Sequence, residues 1–524
     1  MAGNPVRWGP LLEGYDLGSL GSLPYKNVSN FREIQSTAQQ IAESPASVTW
    51  SMLEDLLLVT QFPAELPNVE SSRLAMLCVR LMKVYTEKNK LFDHLYGLRC
   101  VQLLSLVLQV DLLRDRGLLS RSAPHIAKSG PQAVEHWLAD SASREVSRIN
   151  FLSPSIHFQF WSAGLSQEDR HFLLHAFWQA RKDMFHVCGH IPGIQGWIII
   201  FAVIWLPLVH KPTEIFRLPV LYYQLKDLMC RYSLATKDDK AFPAAPIIVR
   251  WLHNQLTARG YNNPKDPICV DTSNIEEMPT FRRELTTRLN ATGDELMDAN
   301  IAATLLEFLV GYHVRSSERS TISPELQALL EAAYNRLWLE VENVQFLYSM
   351  DYRMNAGDLV FAFLQILSVI LLQPDGVGRR PSRARNVDPR PVSKVVASIL
   401  HNVDWVSLMG RVVLLPTLPL DGHPLSLIQY ATIKADWAAS KEIQVHCQVL
   451  SGYDQDAFLA LAPSFPDWKK THDFIKLQIY NNQHPKIIGH FRQTEEIWNF
   501  MGQVLGLHKI AAKNLWELLQ GSLL

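Results

Sequence analysis

Apolar residues recur along this chain at helical spacing and almost nowhere at the alternate spacing of a strand. Leu74, Leu77, Cys78 and Leu81 form one stripe, and Leu326, Leu329, Leu330, Ala333, Leu337 and Val341 form another, each following the 3.6-residue period. The punctuation agrees with the period. Ser44-Pro45 and Ser323-Pro324-Glu325 pair an N-cap hydroxyl with proline at the first helical position, where a missing N–H costs nothing. Ser166-Gln167-Glu168-Asp169 places an N-cap hydroxyl before first-turn acids, which the helix dipole favours. Gly117 and Gly260 sit where helices should stop. Only short runs such as Val412-Val413-Leu414-Leu415 and Ile443-Gln444-Val445 fit a strand as well as a helix. The expected class is therefore all-α, a multi-helical array of about 18 to 24 helices at ordinary helix and loop lengths. Two arrangements satisfy it: an armadillo/HEAT-like α-solenoid, or an irregular globular helical bundle. The fixed period of roughly 34 to 47 residues that marks recognisable helical repeats is absent.

Such an array needs a large interior, and the composition supplies one: 48% of the 524 residues are apolar and 19% charged. Two stretches are apolar on every face. Residues 197–209 run without a polar break, and 359–372 are interrupted only by Gln365 and Ser368. Both fall short of the roughly 18 residues of a spanning helix, so they are expected in the core, with membrane association the lesser reading. The net charge of −1 offers no general attraction for phosphate backbones, which argues against nucleic acid as a partner. The six cysteines are scattered with no CxxC pair, and no apolar leader precedes Tyr25. The expectation is a reduced intracellular protein, cytoplasmic or nuclear.

Residues 1–29 read as an irregular N-terminal arm, 30–374 as a main helical domain, and 392–524 as a C-terminal helical region that could be continuous with it. Between them, 375–391 interleave Gly and Pro with arginine, a composition that cannot bury enough apolar surface to order itself. Within it, Arg379, Arg380, Ser382, Arg383 and Arg385 could be a solvated linker, a basic docking patch, or a phosphorylation segment whose added charge the arginines would hold.

The sharpest local anomaly is histidine. Of 18 in the chain, five lie between residues 157 and 190: His157, His171, His175, His186 and His190. On one helix from Ser166 to about His190, the last four fall at about 0°, 40°, 60° and 100°, with Glu168 near 60°. Glu168, His171 and His175 could then present three ligands to a divalent metal. Against this stand the absence of the second Glu-x-x-His that a four-helix di-metal site needs, and of His-Glu-x-x-His. Nucleophile elbows, phosphate loops and dinucleotide turns are also missing. His446-Cys447 are neighbours in sequence and so point apart.

The leading expectation is a non-enzymatic intracellular scaffold or protein-interaction module with a protein partner and no cofactor. The alternative is a metal-dependent enzyme or metalloprotein using Glu168, His171 and His175, and a minor alternative is a membrane-associated helical protein.

Overall fold

A computed structural model describes residues 5–14, 30–126, 130–151, 164–184, 187–188, 194–210, 219–236, 244–257, 278–293, 296–297, 299–313, 322–346, 363–364, 390–414, 443–451, 455–481 and 485–510. Among them the secondary structure is helical, with no strand and a single antiparallel bridge between Leu11 and His94. The ambiguous runs are helical too: Val412 to Leu414 end one helix, and 443–445 begin the helix 443–450. The chain divides into two compact units, Met1–Val270 and Asp271–Leu524.

Unit 1 contains α1 (Pro5–Trp8), α2 (Phe31–Glu43), α3 (Trp50–Leu57), α4 (Ser71–Thr86), α5 (Leu95–Asp115), α6 (Leu118–Ile126), α7 (Pro131–Phe151), α8 (Gln167–Gln179), α9 (Ile198–His210), α10 (Pro219–Ala235) and α11 (Ala244–Thr257). Helix α5 is its axis, with α3, α4, α6, α7 and α9 packed around it. These partners include its sequence neighbours α4 and α6 as well as α9, four helices further along the chain. Among the described residues α5 is also the one helix long and apolar enough to cross a membrane, yet 94% of its apolar stretch is buried inside the fold. Its polar side chains are answered internally. Arg99 Nη2 donates to Glu54 at 2.7 Å, Gln109 Nε2 to Ser105 Oγ at 2.9 Å, and Asp111 accepts from Ser71 at 2.6 Å. Gly97 is required by close approach: a Cβ there would lie 1.9 Å from the Leu91 carbonyl oxygen. The stop at Gly117 is real, with its φ at +64°.

The apolar run from Trp197 is a core helix as expected. Ile198 to Leu206 of α9 are all buried, and Pro207 is accommodated inside it. Edge-to-face aromatic contacts tie α9 to its surroundings, Phe177 to Phe201 at 5.4 Å and Phe201 to Tyr232 at 5.5 Å. Of the second run, only Phe363 and Leu364 lie within the described residues, both buried.

Two expectations near the N-terminus change. Residues 5–14 of the anticipated irregular arm are ordered against α4 and α5. Trp8 packs edge-on to Tyr85 and Tyr96 at 5.2 and 4.7 Å, and Leu95 N donates to the Pro10 carbonyl at 3.0 Å. The aromatic contacts of one half-buried tryptophan anchor a segment that glycine and proline content alone would leave loose. Ser44-Pro45 opens only a 3-10 turn, Pro45–Ser47, and Ser44 serves instead as the C-cap of α2.

Unit 2 contains α12 (Met278–Leu289), α13 (Ala299–His313), α14 (Pro324–Phe346), α15 (Arg390–Asn402), α16 (Trp405–Leu414), α17 (443–450), α18 (Phe465–Asn481) and α19 (Pro485–Val504). The Ser323 hydroxyl accepts from Leu326 N at 3.3 Å, so the predicted start of α14 holds. The α18–α19 hairpin is closed by a reciprocal pair, Trp468 Nε1 donating to the Trp498 carbonyl at 3.2 Å and Trp498 Nε1 to the Trp468 carbonyl at 2.9 Å. Of the Arg-rich stretch, Arg379, Arg380, Ser382, Arg383 and Arg385 lie outside the described residues, as does Gly260.

Candidate functional site

Helix α8 begins where the sequence places it. Ser166 Oγ accepts from Asp169 N at 3.1 Å while Ser166 N donates to the Asp169 carboxylate at 3.1 Å, a complete capping box. Lys83 of α4 reaches Asp169 at 2.8 Å, and together these contacts hold the Asp169 carboxyl below its usual range despite partial burial. Ser166→Ala should therefore cost about 1 kcal/mol and raise hydrogen exchange in the first turn of α8 without affecting α5. Unchanged exchange in that turn would show that the cap does not hold it.

The helix ends earlier than expected. It stops at Gln179, with Ala180 as its C-cap, so the common face shared with His186 and His190 has no continuous helix to carry it. His157, His186 and His190 lie outside the described residues. Glu168, His171 and His175 do share α8, but they face different surroundings. The Glu168 side chain is 89% exposed and 4.0 Å from Lys83 Nζ. His171 is half-buried at a small pit with Leu174, Pro207 and Leu221, and His175 is exposed. Among the described residues, no group of three or more His, Cys, Asp or Glu side chains is gathered as an ion would require.

The nucleophile candidates are buried. Cys447 and His446 are fully enclosed, and burial raises the Cys447 thiol well above its ordinary range. Burial likewise pushes Cys78 up to about 12, the opposite of what an activated thiol needs. His446 has a structural role: its ring stacks on Trp405 at 5.3 Å, and Tyr334 Oη lies 3.1 Å from its Nε2.

The feature with the form of a binding site is a cleft of about 510 Å³ in unit 1 that sequence reading does not anticipate. One wall is a full face of α2, in which Phe31, Ile34, Gln35, Ala38, Gln39, Ala42 and Glu43 recur at helical spacing. The opposite wall is the Arg73, Leu74 and Leu77 face of α4. Leu56, Val59, Leu103 and Val107 make the floor, and Asn68, Val69 and Glu70 close one part of the rim. Ala38 and Ala42 contribute little side-chain bulk to the α2 wall. Those two alanines, set at i and i+4 on a helix otherwise rich in Gln and Glu, are the sequence signal for it. The space suits apolar groups below and polar groups at the mouth.

The chain matches no protein-family model, no curated protein and no solved structure, so the cleft is interpreted on its own geometry.

Proposed function

We propose that the chain is a non-enzymatic protein-interaction module that receives an amphipathic helix of a partner protein in the α2–α4 cleft. The observation that carries this reading is the shape and lining of the cleft. It follows α2 from Phe31 to Glu43, about 18 Å at 1.5 Å per residue. That length, with an apolar floor and polar residues at the rim, suits one row of side chains from a partner element. A helix lying along the mouth can insert such a row from positions i, i+3 or i+4, i+7 and i+11, with its other face in water. Beyond the cleft, Val84 is exposed on the same face of α4, seven residues past Leu77.

The test is site-specific crosslinking in the native cell. A photoreactive residue at Gln39 should capture a partner protein, and Leu77→Asp should abolish capture while the circular dichroism spectrum stays unchanged. Leu77 is only half-buried, so the substitution probes the cleft rather than the core. An identical capture profile for both proteins would remove the cleft as the binding surface.

A further inference from the structure

Resting on that reading, we infer that the helix accepted by the cleft is cationic, with Lys or Arg flanking its apolar row. Charge complementarity selects this partner. The charged residues lining the cleft are Glu43, Glu70 and Arg73. Arg73 Nη1 already meets Glu70 Oε2 at 3.2 Å, and both side chains are well exposed, so this is a surface pair that a competing cation can part at little cost. Among the described residues, Glu43 has only a neutral contact, the Gln39 amide at 2.9 Å. It is also the last residue of α2, where the carbonyl end of the helix dipole adds to its negative potential. Two carboxylates, Glu43 and Glu70, thus line the cleft with one guanidinium around an apolar floor. Arg80, the next cation along α4, lies about 10 Å from Arg73 along the helix axis and does not line the cleft. An acidic helix would bring like charges together at the rim, a cost that specificity exploits.

The inference is tested with the full chain and three labelled 18-residue synthetic helices. Two carry the same four leucines at i, i+4, i+7 and i+11, one flanked by lysines and one by glutamates. The third has the lysine composition with its leucines scrambled. Fluorescence anisotropy at low salt should show the lysine-flanked helix binding about fivefold or more tighter than the glutamate-flanked one, two exposed pairs each contributing little. That ratio should shrink at high salt. Glu43→Lys, alone and with Glu70→Lys, should bring the ratio to unity and then reverse it, with helicity checked by circular dichroism. Equal affinities for the two leucine helices, or a preference unchanged in the charge-reversed proteins, would overturn the cationic inference and leave the cleft reading intact. Failure of every helix to bind would overturn both. Binding of dodecylamine but of neither leucine helix would assign the cleft to a small cationic amphiphile and overturn the peptide proposal.

Discussion

Glu54→Ala should cost unit 1 about 3 kcal/mol, among the largest effects expected of a single side chain in this protein. Arg99 is 2% exposed and Glu54 7%, and the guanidinium gives two hydrogen bonds to one carboxylate oxygen, from Nε at 3.1 Å and Nη2 at 2.7 Å. Its third contact, Nη1 to Gln102 Oε1 at 2.8 Å, is neutral. Removing Glu54 leaves a buried cation without its hydrogen-bonded anion. The value belongs at the lower end of the usual range because Glu135 is near enough for Arg99 to lower its carboxyl, against burial that raises it. Glu54→Leu with Arg99→Met should recover most of the loss, since an apolar pair of similar volume avoids the desolvation of both charges. Urea midpoints, with exchange of the α5 amides identifying the transition, measure both effects. A single-variant loss below about 1 kcal/mol would mean that water or Glu135 already serves Arg99.

What the sequence made legible depends on the range of the physics involved. Local signals held: Ser166 and Ser323 cap helices, Gly117 ends one, and 197–206 is core. Each is decided by residues within a few positions of itself. The end of α8 failed because periodicity continued past Gln179 in sequence while the backbone turned at Ala180. Histidines that share a calculated face share it only while the helix lasts. Helix α5 was hard to single out because Arg99, Ser105, Gln109 and Asp111 break its apolar pattern, and their partners Glu54 and Ser71 come from 45 and 40 residues away. A buried polar group looks like a surface group until its partner is known. The cleft was invisible for a related reason. It is lined by residues of α2, α3, α4 and α5, so its meaning depends on elements far apart in sequence.

Acid should destabilise unit 2 through His446. The ring is fully buried against Trp405 and beside Tyr334, and burial pushes its pKa down from 6.5 to about 3. Between those values the unfolded chain binds a proton that the folded one refuses, so stability is complete above pH 6.5 and falls as pH drops toward 3. At pH 5 the unfolded imidazole is about 1.5 pH units below its pKa, which amounts to a loss of about 2 kcal/mol relative to pH 7. That pH lies above the range where carboxylates take up protons, which isolates the histidine contribution. His472 and His490 of the α18–α19 hairpin are lowered in the same direction, both chiefly by burial, and add to the loss. Opposing charges act on His472, where Lys476 and His508 lower it and Glu495 and Asp473 raise it. His446→Gln separates the contributions, because an amide can still meet Tyr334 but does not titrate. The variant should be less stable than wild type at pH 7 through imperfect packing, yet lose about 2 kcal/mol less between pH 7 and pH 5 when urea midpoints are compared. Equal losses for the two proteins would show that the His446 ring takes up its proton in the folded state without penalty, and that its burial against Trp405 does not set the acid limit of unit 2.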